Sequence, residues 1–261
     1  MAITRRTLNA SLAAAAALPA GFSRAQAKPR LGMIFPVIDR GVPEEAVRMY
    51  SDRVDYVVEN LDLKTMTPAG YDAVIGDIPA LAQRLVQQKV DAIMVMGTSL
   101  TFYQGREFNE RLTSTLAAAT GLPVSTMSNG IVNGLRAVGG RNIVCATAYN
   151  DEVNERLVRF LNQHDFTVLN IEGLGIEAVG DILAVTEPQL LDFCSGVGSA
   201  TPEADAILIS CGGLLTLDIL APVESRTGKP AVSSTPHALF EGVRLLGIDA
   251  KVPGYGTLLA L

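Results

Sequence analysis

The feature that most constrains this chain is a long-range internal repeat. Val90-Asp91-Ala92-Ile93-Met94-Val95-Met96-Gly97-Thr98-Ser99-Leu100 aligns without a gap with Ala204-Asp205-Ala206-Ile207-Leu208-Ile209-Ser210-Cys211-Gly212-Gly213-Leu214. A second match follows each copy: Thr120-Gly121-Leu122-Pro123-Val124 and Gly134-Leu135-Arg136-Ala137-Val138-Gly139 correspond, with one inserted residue, to Thr227-Gly228-Lys229-Pro230-Ala231 and Gly242-Val243-Arg244-Leu245-Leu246-Gly247. The period is far longer than the roughly 20–50 residues of solenoid repeats. It therefore points to two similar lobes with a cleft between them.

Within each lobe, short apolar runs alternate with longer helical stretches, the pattern of parallel sheets covered by helices. Strands are predicted over 30–35, 91–96, 123–126, 142–147, 166–171, 205–210 and 230–233. Runs such as Ala92 to Met96 and Ala206 to Ile209 are apolar at successive positions, as strands buried on both faces require. The clearest helix is predicted over Asp151 to His164, where Val153, Leu157, Phe160 and Leu161 recur at helical spacing and Asn150 or Asp151 can cap the start. The expected fold class is α/β, with two pseudo-symmetric lobes, each a parallel sheet flanked by helices, and an active site in the cleft. The expected organisation is a leader over 1–27, one lobe over 28–130 plus 237–261, and the other over 131–236.

Composition narrows the function. The chain has 261 residues, 48% hydrophobic and 18% charged, enough to bury a large core. Its 21 basic and 27 acidic residues give a net charge of −6 with no run of basic side chains, which argues against a nucleic-acid partner. Two histidines (His164, His237) and three well-separated cysteines (Cys145, Cys194, Cys211) are too few soft ligands for a zinc or iron–sulfur site.

The first 27 residues differ from the rest. Arg5-Arg6 precede a weakly apolar stretch, Ala10 to Leu18, and Ala25-Gln26-Ala27 supplies a small-x-small cleavage pattern, together the marks of a twin-arginine export signal. The apolar stretch is about half of the ~20 residues of a spanning helix, so no membrane span is expected. Cleavage would remove Arg5, Arg6 and Arg24 and no acid, taking the charge from −6 to −9. The expected location is the periplasm, or the cytoplasm if the signal is not used; an ordinary amphipathic N-terminal helix is the alternative.

In open parallel sheets, ligands bind at the carboxyl ends of the strands. Both repeated loops, Gly97-Thr98-Ser99 and Cys211-Gly212-Gly213, occupy that position in their own lobe, and both offer small residues and free backbone N–H groups suited to a carboxylate or phosphate. Each alone reads equally as an ordinary tight turn; the matched register of the two, one carrying a thiol, is what singles them out. Cys145 in an apolar strand and Cys194 beside Leu190, Leu191 and Phe193 read as small core residues. His164 at a helix C-terminus reads as a cation or solvated ring, and His237, after Thr235-Pro236, as a candidate to line the cleft. Asp151, Glu152 and Glu155 read as helix cap and surface charge.

Gly97-Thr98-Ser99-Leu100 with Phe102-Tyr103, Ala146-Thr147-Ala148-Tyr149 with Val153-Asn154-Glu155-Arg156-Leu157, Leu208 to Asp218, and Pro253-Gly254-Tyr255-Gly256 together resemble the arylmalonate decarboxylase family of the aspartate/glutamate racemase superfamily. The similarity runs from about Leu31 to Tyr255. The resemblance implies cofactor-free decarboxylation of a disubstituted malonate bearing an aryl or alkenyl group, a small-molecule dicarboxylate, to a chiral 2-substituted acid. By matching positions it implies that Cys211 protonates the carbanion while Thr98, Ser99, Tyr149 and the backbone N–H of Gly212 hold the retained carboxylate. Tyr71, in Thr67-Pro68-Ala69-Gly70-Tyr71-Asp72, matches another hydroxyl of that pocket. An apolar cage for the departing carboxylate falls on Leu63, Met66, Leu100, Val179 and Ile182, and Gly97 takes the opposite-face position. The first loop departs from the pattern, with Pro36-Val37 followed by the charged Asp39-Arg40. A helix N-terminus at Cys211 would lower its pKa below the usual ~8.5. The expected state is a monomer, with an oligomer as the alternative.

Two other readings compete. A racemase or maleate-type cis-trans isomerase of the same superfamily generally uses two thiols, one from each lobe, whereas here Gly97 stands in register with Cys211. A periplasmic binding protein for small aromatic acids would suit two lobes and an export signal, but it has no need of the thiol.

Overall fold

A computed structural model describes residues 27–261, so the export-signal reading falls, save for Ala27, outside the described residues. The chain forms two four-stranded parallel sheets. The first holds β1 (Arg30–Phe35), β2 (Asp55–Asn60), β3 (Ala92–Val95) and β4 (Val124–Thr126) in the order β2-β1-β3-β4. The second holds β5 (Asn142–Thr147), β6 (Thr167–Gly173), β7 (Ala206–Ser210) and β8 (Ala231–Ser233) in the order β6-β5-β7-β8. The two orders are the same under the repeat, which pairs β3 with β7 and β4 with β8.

The helices are α1 (Glu44–Tyr50), α2 (Pro68–Val74), α3 (Ile78–Gln87), α4 (Thr98–Phe102), α5 (Arg106–Thr120), α6 (Met127–Ala137), α7 (Asp151–Asn162), α8 (Glu187–Ala200), α9 (Leu220–Thr227) and α10 (Ser234–Leu245). Among the described residues, no helix is long and apolar enough to cross a membrane.

All seven predicted strands are present, and β3 and β7 are buried along their whole length, as unbroken apolar runs demand. The strand that sequence reading missed is β2, whose residues Asp55-Tyr56-Val57-Val58-Glu59-Asn60 are mostly half-buried. It is an edge strand with β1 as its one partner, so half of its polar groups face away from the core and the apolar run shrinks to two valines. The helix expected to reach His164 stops at Asn162, and Asp165 then takes a left-handed turn with φ 68°. Its start is as expected: Asn150 Oδ1 accepts the Val153 N–H at 3.1 Å.

The repeated glycines have two distinct causes. Gly121 and Gly228 end α5 and α9 in the left-handed conformation at φ 69°, and the prolines two residues later prevent either helix from continuing. Gly134 and Gly242 mark close crossings between the halves. α6 leaves β4 yet packs on the second sheet, where a Cβ on Gly134 would stand 3.1 Å from Val232; α10 leaves β8 yet packs on the first, where a Cβ on Gly242 would stand 2.7 Å from Leu31 and 2.9 Å from Met94. Each half thus lends one helix to the other's sheet, which locks the two halves around the cleft.

Candidate active site

The cleft has a volume of about 440 Å³, and its lining includes Gly97, Thr98, Ser99 and Leu100 from the first repeated loop and Cys211, Gly212 and Gly213 from the second. The two loops therefore meet on one cavity, as pseudo-symmetry requires. Leu63, Met66, Val179 and Ile182 also line it. They come from two segments, one from each half, that are tied together: Thr65 bridges to Ala178, and the Met66 N–H donates to the Glu177 carbonyl at 3.0 Å. The Leu63 N–H donates to the Pro36 carbonyl at 2.8 Å, which fixes the loop after β1 onto the same wall.

Tyr71 and Tyr149 are not part of the open lining; both are fully buried beside it. The Tyr149 hydroxyl lies 3.2 Å from the Ser210 hydroxyl, and the ring stands edge-on to Phe102. The buried Tyr71 hydroxyl has no hydrogen-bond partner among the described residues, although Ser99 and Cys211 are near enough to bear on its ionisation. Burial pushes both phenols well above the ordinary tyrosine value, so both remain O–H donors.

Cys211 follows β7 in a tight turn, closed by the Leu214 N–H donating to the Cys211 carbonyl at 3.2 Å. The expectation of a helix N-terminus here is not met, because the next helix, α9, starts only at Leu220. The thiol is instead buried, and burial pushes its pKa up to about 11 against the opposing pull of the Gly213 and Leu214 N–H groups and the Arg40 charge. Cys211 is therefore a thiol rather than a thiolate at neutral pH. The adjacent glycines permit close packing: a Cβ on Gly212 would stand 3.0 Å from Met127 Sδ, and one on Gly213 would stand 2.9 Å from Ile182.

Several side chains around these loops went unnoticed in the sequence. Ser234, the first residue of α10, accepts the Cys211 N–H at 3.1 Å and the Thr98 hydroxyl at 2.8 Å. Ser128 donates to the Thr98 carbonyl, and Thr235 to the Gly212 carbonyl, both at 3.0 Å. These two bonds are equivalent under the repeat, and a closer reading of its second half could have found them. Glu45 has no such counterpart: it is buried, and its Oε1 accepts the N–H groups of Thr216 and Leu217, each at 3.0 Å.

Cys145 and Cys194 are fully buried, and burial pushes both thiols up, Cys194 to about 12. His237 does not line the cleft. It is buried in the first turn of α10, its Nδ1 2.7 Å from the Ser233 N–H, with a pKa lowered by burial to about 4. His164 is neither a cation nor solvated: it is buried edge-on against Phe160, and burial, with Arg106 and Arg136 nearby, lowers its pKa to about 4.

Two equivalent parallel sheets closing on one cleft define an α/β enzyme of the aspartate/glutamate racemase type. Residues 31–259 match the arylmalonate decarboxylase family model, and the chain belongs to that family, whose members are carboxy-lyases. It is 46% identical over 231 residues to an arylmalonate decarboxylase of Bordetella bronchiseptica, covering 88% of this chain and 96% of that one. A crystal structure of arylmalonate decarboxylase superposes with a TM-score of 0.81 at 44% identity, over 88% of this chain and 99% of the other. The maleate isomerase Iso of Pseudomonas putida S16 shares the fold, with a TM-score of 0.83 at 21% identity over 90% and 99% of the two chains.

Proposed function

We propose that this carboxy-lyase removes one carboxylate of an aryl- or alkenylmalonate without a cofactor and returns a proton to the α-carbon from Cys211. The C–C bond to the departing carboxylate breaks, CO2 leaves, and the electron pair moves into the remaining carboxylate as an enediolate. Thr98, Ser99, Tyr149, Tyr71 and the Gly212 N–H stabilise that charge; one such donor is worth ~100–1000-fold in rate. The departing carboxylate, held against Leu63, Met66, Leu100, Val179 and Ile182, loses its hydration there and gains by becoming neutral CO2. The thiol then gives its proton to carbon, and the thiolate recovers one from solvent. The observation that carries this reading is a buried thiol, its pKa raised by that burial, on the same cleft as a hydroxyl-lined loop and an apolar wall.

The test is incubation of the purified protein with phenylmalonate and methylphenylmalonate, measuring CO2 release and product optical purity. Turnover to one enantiomer, abolished in a folded Cys211→Ala variant, is the expected result. Near wild-type turnover by that variant would remove Cys211 from the mechanism. The same reading includes export to the periplasm, which fractionation of cells making the full chain would test.

A further inference from the structure

The end of β1 and the loop after it bring charge to a cleft that is otherwise apolar or hydroxyl-lined: Phe35, Pro36, Val37, Ile38, Asp39 and Arg40 all contribute to its lining, and Lys64 joins them. These charges are not equivalent. Lys64 is paired with Asp62 at 2.5 Å. Asp39 is exposed, in a left-handed turn with φ 55°. Arg40 is half-buried, with its guanidinium 5.7 Å from the centre of the Phe35 ring and no ion pair among the described residues. The Arg40 charge also reaches inward, bearing on both the Cys211 thiol and the Glu45 carboxyl.

A half-buried guanidinium with no ion pair among the described residues gains when its fork of N–H donors meets an anion in the occupied site. The malonate itself does not supply that anion: one carboxylate is taken by the hydroxyl and N–H donors, and the other belongs against the apolar wall. The remaining arm of the α-carbon is the substituent. We propose that Arg40 is a specificity-determining subsite that receives an anionic group, of the carboxylate class, at the far end of the substrate's substituent. The inference rests on the decarboxylase reading and names the substrate class within it: malonates whose aryl or alkenyl arm carries a second acid. The guanidinium carbon lies 5.7 Å from the centre of the Phe35 ring, and a guanidinium can pair with a carboxylate bidentately.

The test uses binding first, so that it does not depend on turnover. Calorimetric titration of the full-chain protein with phenylacetate and with its 3- and 4-carboxy derivatives should show the better carboxy isomer binding about tenfold or more tightly than phenylacetate, as a charge-assisted pair implies. Arg40→Met should erase that preference while changing phenylacetate binding by no more than about twofold, and Arg40→Lys should restore part of it, because the point charge remains but the fork is lost. The corresponding malonates should follow the same order in kcat/KM. Equal or weaker binding of both carboxy isomers by the wild type, or an equal loss for all ligands in Arg40→Met, would overturn the proposal. Selective binding without CO2 release from any malonate would leave the subsite standing and count against the decarboxylase reading instead.

Discussion

The backbone N–H of Cys211 donates to the side-chain hydroxyl of Ser234 at 3.1 Å. The same oxygen accepts from the Thr98 hydroxyl at 2.8 Å, so one atom of α10 links the thiol-bearing loop to the loop that offers hydroxyls. Under the repeat, Ser234 corresponds to Met127, whose sulfur also lies 2.8 Å from the Thr98 hydroxyl and packs on Gly212. The two positions share the task of spacing the loops, one by hydrogen bonding and the other by bulk.

Ser234→Ala should leave the buried Cys211 N–H without a partner, at a cost of about 1–3 kcal/mol. Since the displaced loop carries the proposed acid, kcat should fall by about tenfold or more with a smaller change in KM. Urea unfolding and steady-state kinetics on the folded variant check both. A stability loss with unchanged kcat would confine Ser234 to a structural role.

The raised pKa of Cys211 sets a pH window. If the thiol proton is used in turnover, kcat should hold through pH 9–10 and fall as pH passes about 11, where the thiol ionises. Stability should decline earlier, from the unfolded thiol value near ~8.5 upward, because over that interval the unfolded chain releases a proton that the folded chain retains. Denaturant midpoints against pH for the wild type and Cys211→Ala isolate this share of the slope, which should be shallower in the variant. A rate that falls near pH 8.5 instead would mean that the thiol is not desolvated as its burial implies.

Glu45 and Arg48 both reach from α1 across to the chain beyond Cys211. Arg48 pairs with Asp218 through two contacts of 2.6 Å, but both side chains are about one-third to one-half exposed, so Arg48→Ala should cost only about 0–1 kcal/mol. Glu45→Ala strands two buried N–H groups, those of Thr216 and Leu217, at about 1–3 kcal/mol each. Glu45→Gln retains an acceptor and should recover most of that loss. Thermal unfolding of the three variants gives the order directly.

The two halves were legible in the sequence because the repeat copies features that backbone geometry demands: strands buried on both faces, left-handed glycines after α5 and α9, and glycines where α6 and α10 cross to the other sheet. The loops carrying Thr98 and Cys211 were legible for the same reason. What escaped lacked periodicity or a local signal. β2 is half-exposed at an edge, Glu45 acts on residues far along the chain, and nothing around Ser234 announces that it serves two loops. The direction of the Cys211 pKa shift was misread because position after a strand suggested a helix N-terminus, whereas burial raises the value. For His164 too, burial outweighs what its place at the end of a helix suggested.

The repeat also makes a stereochemical prediction. Gly97 occupies in the first half the position that Cys211 holds in the second, and both line the same cleft. A Cβ on Gly97 would stand 3.1 Å from Leu100 Cβ and 3.4 Å from Pro36 Cγ, so a cysteine fits after shifts of a few tenths of an ångström, and the backbone at φ −154° accepts any side chain. A planar enediolate can be protonated on either face, so a single thiol should yield one enantiomer of a 2-arylpropionate. Gly97→Cys should supply a second acid on the opposite face, eroding optical purity and exchanging the product's α-proton, with some loss of rate from the added bulk. Chiral chromatography of the product and deuterium incorporation in heavy water measure the two effects. A folded Gly97→Cys variant that still gave one enantiomer, with no exchange, would show that the two loops do not address opposite faces of the same carbon.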